Sequence, residues 1–371
     1  MAWILLALLA ADEASVAKTI EDLGGLVQRE GGAITAVDLR GATLTREHLA
    51  DLKQLPRLQS LVLWNTNLND ELLPALADLP AMQTLELDGC PVRGEGLAAL
   101  AKGKRLRRLS LQRTRLDDEG LQGVGGLRSL VELNLHDTTI TDEGLAHLAK
   151  LENLTRLDLG GTAITGKGLA ALKGLKSLRA LDLSDTKVRD ADLKTVAELT
   201  SVEELGLAGN PLSDVAVRSL AALPRLRKLG LRHTDVTGRG VANFQALEEL
   251  YLGGSNVDDE ILPTLAALPK LNLLDLCTSR VSDKGLAALK PAGGLRALGV
   301  SGAITDAGLK AIATHLPQLE RLYLVDAKVT DEGLKFLQGM KLKELYLKRT
   351  GVTQEGVAAF KKAVPGCKVD R

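Results

Sequence analysis

Aromatic residues are scarce in this chain, with three Tyr, three Phe and two Trp among 371 residues, so any ring on an open surface has to be weighed by itself. Excess charge is absent too. Lys plus Arg number 47 and so do Asp plus Glu; a net charge of zero argues against nucleic acid as partner, because such binding is dominated by neutralising phosphates. Cysteine is limited to Cys90, Cys277 and Cys367, an odd and scattered set that forms no disulfide framework. Long apolar runs are missing: the one from Ala2 to Ala11 is too short to span a bilayer, so no transmembrane segment is expected. Catalytic signatures are missing as well, with no G-x-S-x-G, H-E-x-x-H, phosphate loop or C-x-x-C. The five histidines, His48, His136, His147, His233 and His315, are spread over distant parts of the chain and are read as solvated side chains at mostly exposed positions. No cofactor or metal is implied.

What the chain has in abundance is leucine in a fixed rhythm. Residues 133–156, LNLHDTTITDEGLAHLAKLENLTR, state a pattern that recurs throughout: an L-x-L pair begins at Val37 and then at Leu61, Leu85, Leu109, Leu133, Leu157, Leu181, Leu205 and Leu229, always 24 residues apart. It continues at Leu250, Leu274, Leu298, Leu322, Leu345 and Cys367, with spacings of 21, 24, 24, 24, 23 and 22. A period in this range means a solenoid. In each copy L-x-L is a short strand whose two Leu point the same way, and Leu145, Leu148 and Leu151 show the apolar stripe of a short helix. Neither element buries enough area alone, so stacked copies must share one Leu core and an isolated repeat should not fold. Thr141 or Asp142 is placed to accept from the first helical N–H groups, and the Thr row that includes Thr66, Thr114, Thr138 and Thr162 is read as a structural ladder.

The repeat resembles the leucine-rich-repeat family, in the 24-residue subtype of bacterial, planctomycete-like proteins and of F-box and GALA-type proteins; GLAALA at 96–101 and GLAALK at 168–173 carry the GALA style. The resemblance covers roughly residues 37 to 369 and implies an α/β right-handed solenoid, a horseshoe or arc with a parallel sheet on the concave face and short helices on the convex one, used for protein binding. No F-box is expected, since about 36 residues before the repeats leave no room for that domain plus a cap.

In order along the chain, residues 1–11 are read as a signal peptide for export or else as a first helix, which leaves a periplasmic, secreted or cytoplasmic location open. Residues 12–36 are a capping helix, with Val16, Ile20 and Leu23 at helical spacing before Gly24 and Gly25, and a lead-in. Residues 37–371 are the solenoid with a short C-terminal cap, all one domain because one-dimensional stacking removes the size limit on a core. The repeat from Leu229 loses three residues, so its outer layer should be thinner, with Phe244 filling the gap; the stretch from Lys290 to Thr305 shifts the turn by one residue. A parallel edge at each end allows a monomer or an end-to-end dimer. At about 4.8 Å per strand, Cys90 and Cys277 lie roughly 35 to 40 Å apart, so all three thiols are expected to be free.

The residue between the two Leu of each strand faces the concave side. All three tyrosines, Tyr251, Tyr323 and Tyr346, fall in this row. Tyr suits a half-exposed pleated face, and it also supplies rigid contact area at interfaces. Arg321, Lys348 and Arg349 around Tyr323 and Tyr346, with Arg232 near Tyr251, make an aromatic and basic patch for an acidic ligand segment. Trp64 is a second anchor or a cover for the N-terminal cap. Asp158 beside Asp182, with His136, Asp137 and Asp185 nearby, is a solvated acidic face in preference to a metal or acid–base pair. The sequence therefore predicts a non-enzymatic scaffold binding a protein or peptide on its concave face, ahead of a structural or cell-surface spacer and of a regulatory part of an enzyme complex.

Overall fold

The computed structural model describes residues 13–289 and 294–371. The apolar run read as an export signal, and part of the stretch after Lys290, lie outside them. The chain divides into two compact units, Met1–Lys187 and Val188–Arg371.

The first unit opens with a helix over residues 13–22 that buries Val16 and Ile20 against the Leu core and leaves Leu23 half-buried in the turn that follows. Gly25 ends it at a close approach, since a Cβ there would lie 2.7 Å from the Asp38 carbonyl oxygen. Next comes a hairpin absent from the sequence reading: β1 (Leu26–Glu30) runs antiparallel to β2 (Ala33–Asp38) across Gly31 and Gly32, both at positive φ. The exposed N-terminal edge is thus an antiparallel strand, which corrects the expectation of a parallel edge at both ends. From β2 the strands follow one another in parallel register: β3 (Ser60–Val62), β4 (Thr84–Glu86), β5 (Arg108–Ser110), β6 (Glu132–Asn134), β7 (Arg156–Asp158) and β8 (Ala180–Asp182).

The second unit repeats the plan with β9 (Glu204–Gly206), β10 (Lys228–Gly230), β11 (Glu249–Tyr251), β12 (Leu273–Asp275), β13 (Ala297–Gly299), β14 (Arg321–Tyr323), β15 (Glu344–Tyr346) and β16 (Lys368–Asp370), also parallel and in sequence order. In the shortened repeat the outer helix is one 3₁₀ turn, Arg239–Val241, and Phe244 is buried beside it. The one-residue shift is absorbed by a longer helix, Asp306–His315. At the C-terminus the helix Gln354–Ala363 seals the core with Phe360. In β3 to β15 the central Leu of each strand is buried and the residues on either side of it lie on the helix-free face, as period-two alternation requires.

Two devices stack the repeats. The first is a turn after each strand, in which the Thr114, Thr138, Thr162 and Thr234 hydroxyls each donate to the carbonyl three residues earlier. The row is structural, and most of its bonds stay within their own turn. Rung-to-rung contacts join Thr66 to Cys90 and Thr234 to Ser255, both at 3.3 Å. The position before each Thr adopts positive φ, with Gly where it can and Asn65, Arg113, Asp137, Asp185, His233 and Arg349 elsewhere.

The second device corrects the helix-start reading. Thr141 accepts from the Glu143 N–H of its own helix, but Asp142 reaches to the next repeat, where it accepts the Thr165 N–H at 2.7 Å and the Thr165 hydroxyl at 2.5 Å. Asp118 does the same for Thr141, Asp259 for Ser282, Asp306 for Thr330 and Asp331 for Thr353. The carboxylate then occupies the place where a Cβ would stand three residues after that Thr or Ser of the next repeat. At Gly168 a Cβ would lie 2.5 Å from Asp142 Oδ1. The sentence T-D-x-G is therefore one joint written across two repeats.

Candidate functional site

In the second unit the helix-free face carries the three tyrosines. Tyr323 and Tyr346 face each other across β14 and β15, and because the strands pair in register their rings stack, centroids 4.6 Å apart and planes 13° from parallel. Tyr251 stands on β11 beside Asp275. Its hydroxyl donates to Glu249 Oε2 at 2.8 Å, and its ring lies under Arg232, 4.8 Å from the guanidinium carbon, with the Lys228 amine 5.5 Å from the centroid. Burial and the Glu249 carboxylate push its hydroxyl above the ordinary tyrosine range.

The structure brings Arg321 next to Tyr323 and Arg232 onto Tyr251, but it changes what the cations can do. Arg232 donates from Nε (2.7 Å) and Nη2 (2.6 Å) to the buried Asp275 carboxylate. Arg349 is bound to Asp326 through two nitrogens, and Lys348 lies 3.4 Å from Asp370. Of the four cations, Arg321 alone has no carboxylate partner among the described residues. The patch is aromatic and largely neutralised, which corrects the expectation of a basic surface seeking an acidic ligand.

Asp275 has a third neighbour. Its Oδ1 accepts the Cys277 N–H at 3.1 Å, while burial, then the Asp275 charge and a thiol–carboxylate hydrogen bond, push the Cys277 thiol up to about 12. Gly299 next to Asp275 leaves its carboxylate room, since a Cβ there would lie 2.6 Å from Oδ1.

In the first unit Trp64 lies under Arg40, whose guanidinium carbon is 4.6 Å from the ring and which is itself held by Asp38. The indole Nε1 is buried with no hydrogen bond of acceptable geometry among the described residues. Asp158 and Asp182 are register neighbours on β7 and β8. Each accepts an N–H two residues on, Asp158 from Gly160 at 2.9 Å and Asp182 from Ser184 at 2.8 Å. Asp38, Asn134 and Asp275 cap their strands identically. Burial raises the Asp158 carboxyl above its ordinary value, opposed by the Gly160 N–H and reinforced by the like charge of Asp182; His136 Nδ1 is 3.4 Å away. Asp137 and Asp185 both occupy positive-φ turns. No group of three potential metal ligands occurs among the described residues. Four of the histidines are half-buried and His233 alone is exposed, against the expectation of mostly exposed positions.

Two observations about relatives bear on this arrangement. A family profile described as a leucine-rich repeat region matches residues 66–289. The chain belongs to the leucine-rich-repeat family. Among solved structures, an internalin of Listeria monocytogenes superposes with a TM-score of 0.56 at 19% identity, covering 97% of this chain and 94% of the internalin. A leucine-rich-repeat protein of Leptospira interrogans gives 0.51 at 19% identity, covering 94% of each chain. These likenesses establish the α/β leucine-rich-repeat solenoid and nothing narrower. No curated protein matches the chain. Among the described residues no helix is long and apolar enough to cross a membrane.

Proposed function

We propose that this leucine-rich-repeat chain is a non-enzymatic scaffold that binds another protein on the helix-free face of β11–β15. The stacked pair Tyr323 and Tyr346 carries the reading. Stacked rings on neighbouring strands form a stiff amphipathic ledge, and Tyr251, fixed by Glu249 and Arg232, forms another on the same face. Side chains already ordered lose little entropy when a partner covers them. With Arg232, Lys348 and Arg349 paired internally, the ledge suits a segment with apolar and hydrogen-bonding groups better than a strongly acidic one.

The test is affinity capture from the source organism with wild type beside a Tyr251→Ala, Tyr323→Ala, Tyr346→Ala variant, its fold checked by circular dichroism. A partner retained by wild type and lost by the variant supports the reading, and its purified complex should weaken by tenfold or more, about 1.4 kcal/mol. Equal recovery by both proteins removes the tyrosine face from the contact and favours the spacer.

A further inference from the structure

A cluster of cations without carboxylate partners lies in the other unit. Lys104, Arg105 and Arg107 belong to the run KGKRLRR that leads into β5. All are exposed, and none has a carboxylate within ion-pair distance among the described residues, whereas Arg108 beside them is paired with Glu132. They line one end of a cleft of about 610 Å³ along the edge where chains enter the strands, continued by Ser129, Asn153 and Thr155.

We propose that this cleft is a second binding site, distinct from the tyrosine face, for a short extended peptide rich in carboxylates. Three properties of its walls choose that occupant. The backbone is spent: the N–H groups of Arg107, Val131 and Thr155 are bonded to carbonyls of the preceding repeat, so there is no main-chain nest of the kind that holds phosphate. Recognition has to come from side chains. Ser129 and Thr155 have spent their hydroxyl protons on the carbonyls of Leu106 and Val131, and Asn153 one of its two amide N–H groups on that of Arg128, so what they chiefly offer the cleft is oxygen acceptors. One end therefore presents N–H donors that suit carboxylates, and the other presents acceptors that suit peptide N–H groups. A polypeptide supplies both. A DNA backbone supplies acceptors alone, an RNA backbone adds only its 2′-hydroxyl as donor, and the cleft has no ring on which a base could stack. Residues 83, 107, 131 and 155 lie one repeat apart, so the cleft spans about 14 Å, the reach of about four extended residues.

The probe is a short fluorescein-labelled peptide of glutamates followed by serine and glycine, titrated with the full chain at low salt and read by fluorescence anisotropy. Wild type should bind it. Binding should weaken by about tenfold or more with Arg105→Glu, Arg107→Glu, with glutamine in place of glutamate in the peptide, and with added salt. The triple tyrosine variant should bind like wild type, which separates this proposal from the previous one. Circular dichroism confirms that the charge-reversed chain is folded; both altered residues are exposed. Failure of wild type to bind, equal binding by the charge-reversed variant, or tighter binding of oligothymidylate than of the peptide would each overturn the proposal.

Discussion

The joint between repeats makes an unusual quantitative prediction, because one space is claimed by two groups. Asp118 accepts the Thr141 N–H at 2.7 Å and the Thr141 hydroxyl at 2.6 Å, and a Cβ built on Gly144 would overlap Asp118 Oδ1, with Cγ 3.1 Å and Cα 3.2 Å away. Replacing Asp118 with Ala forfeits both bonds. Bonds to a charged acceptor contribute about 1.5 to 3 kcal/mol when buried, and less here because the site is part-open to water, so the loss should be about 1 to 2 kcal/mol. Replacing Gly144 with Ala drives the carboxylate out of its place and loses the same bonds, again about 1 to 2 kcal/mol by the same reasoning. In the double variant the space is free, and the methyl returns about 0.5 to 1 kcal/mol of backbone entropy. The double variant should therefore be no less stable than either single one. Urea unfolding followed by circular dichroism gives the global values, and native-state hydrogen exchange over residues 141–151 gives the local ones. Additivity of the two losses within about 0.5 kcal/mol, the behaviour of independent sites, would refute the shared-space account.

Acid should expose the same joint elsewhere. Burial alone would push the Asp214 carboxyl up, but hydrogen bonds from Thr237, Gly240 and Gly238 outweigh it and hold it below its ordinary value. Its contribution is present above the unfolded value of about 3.9 and is lost as pH falls through the folded one; Asp214→Asn should flatten the acid limb of stability against pH. Asp158 has the opposite sign, since its raised folded value makes ionisation costly. Asp158→Asn should stabilise the chain at pH 7 by less than about 1 kcal/mol, and the gain should vanish in acid, as thermal melts at two pH values will show. At Cys277 the thiolate is so scarce at pH 8 that alkylation, followed by mass spectrometry, should run at least about a hundredfold slower than for an ordinary cysteine; Asp275→Asn should accelerate it.

The repeat, its Leu core and the tyrosine row were legible because each rests on a period, and a period survives any change in detail. Pairing partners were not. That Arg232 would be drawn to Asp275, two strands beyond its own, depends on Gly253 and Gly299 leaving the space around that carboxylate open, and nothing in the spacing of arginines shows it. Asp158 and Asp182 were read as an acidic face, but the bond each accepts from an N–H two residues along its own chain was not legible, because spacing does not show which way a carboxylate turns. The hairpin β1–β2 was hidden because it occurs once and has no second copy to announce it. The cleft beside β5 had a sequence signal in KGKRLRR, which a zero net charge obscured.

The joint also restricts how such a chain can be inherited. Each repeat has a leading end, which bears an aspartate or lacks it, and a trailing end, which leaves room for one or fills it. Ile261 fills the room, and it can do so because the repeat before it carries Gly238, where an added Cβ would stand 3.5 Å from the Ile261 side chain. Excising the repeat that begins at Leu229 would set Asp214 against Ile261, two groups for one place. Excising the repeat that begins at Leu250 would set Gly238 against Gly285 and merely leave a bond unmade. Repeats that share the Leu pattern are thus not interchangeable, and duplication or loss by recombination passes or fails at the seam according to which ends are brought together, as with dominoes.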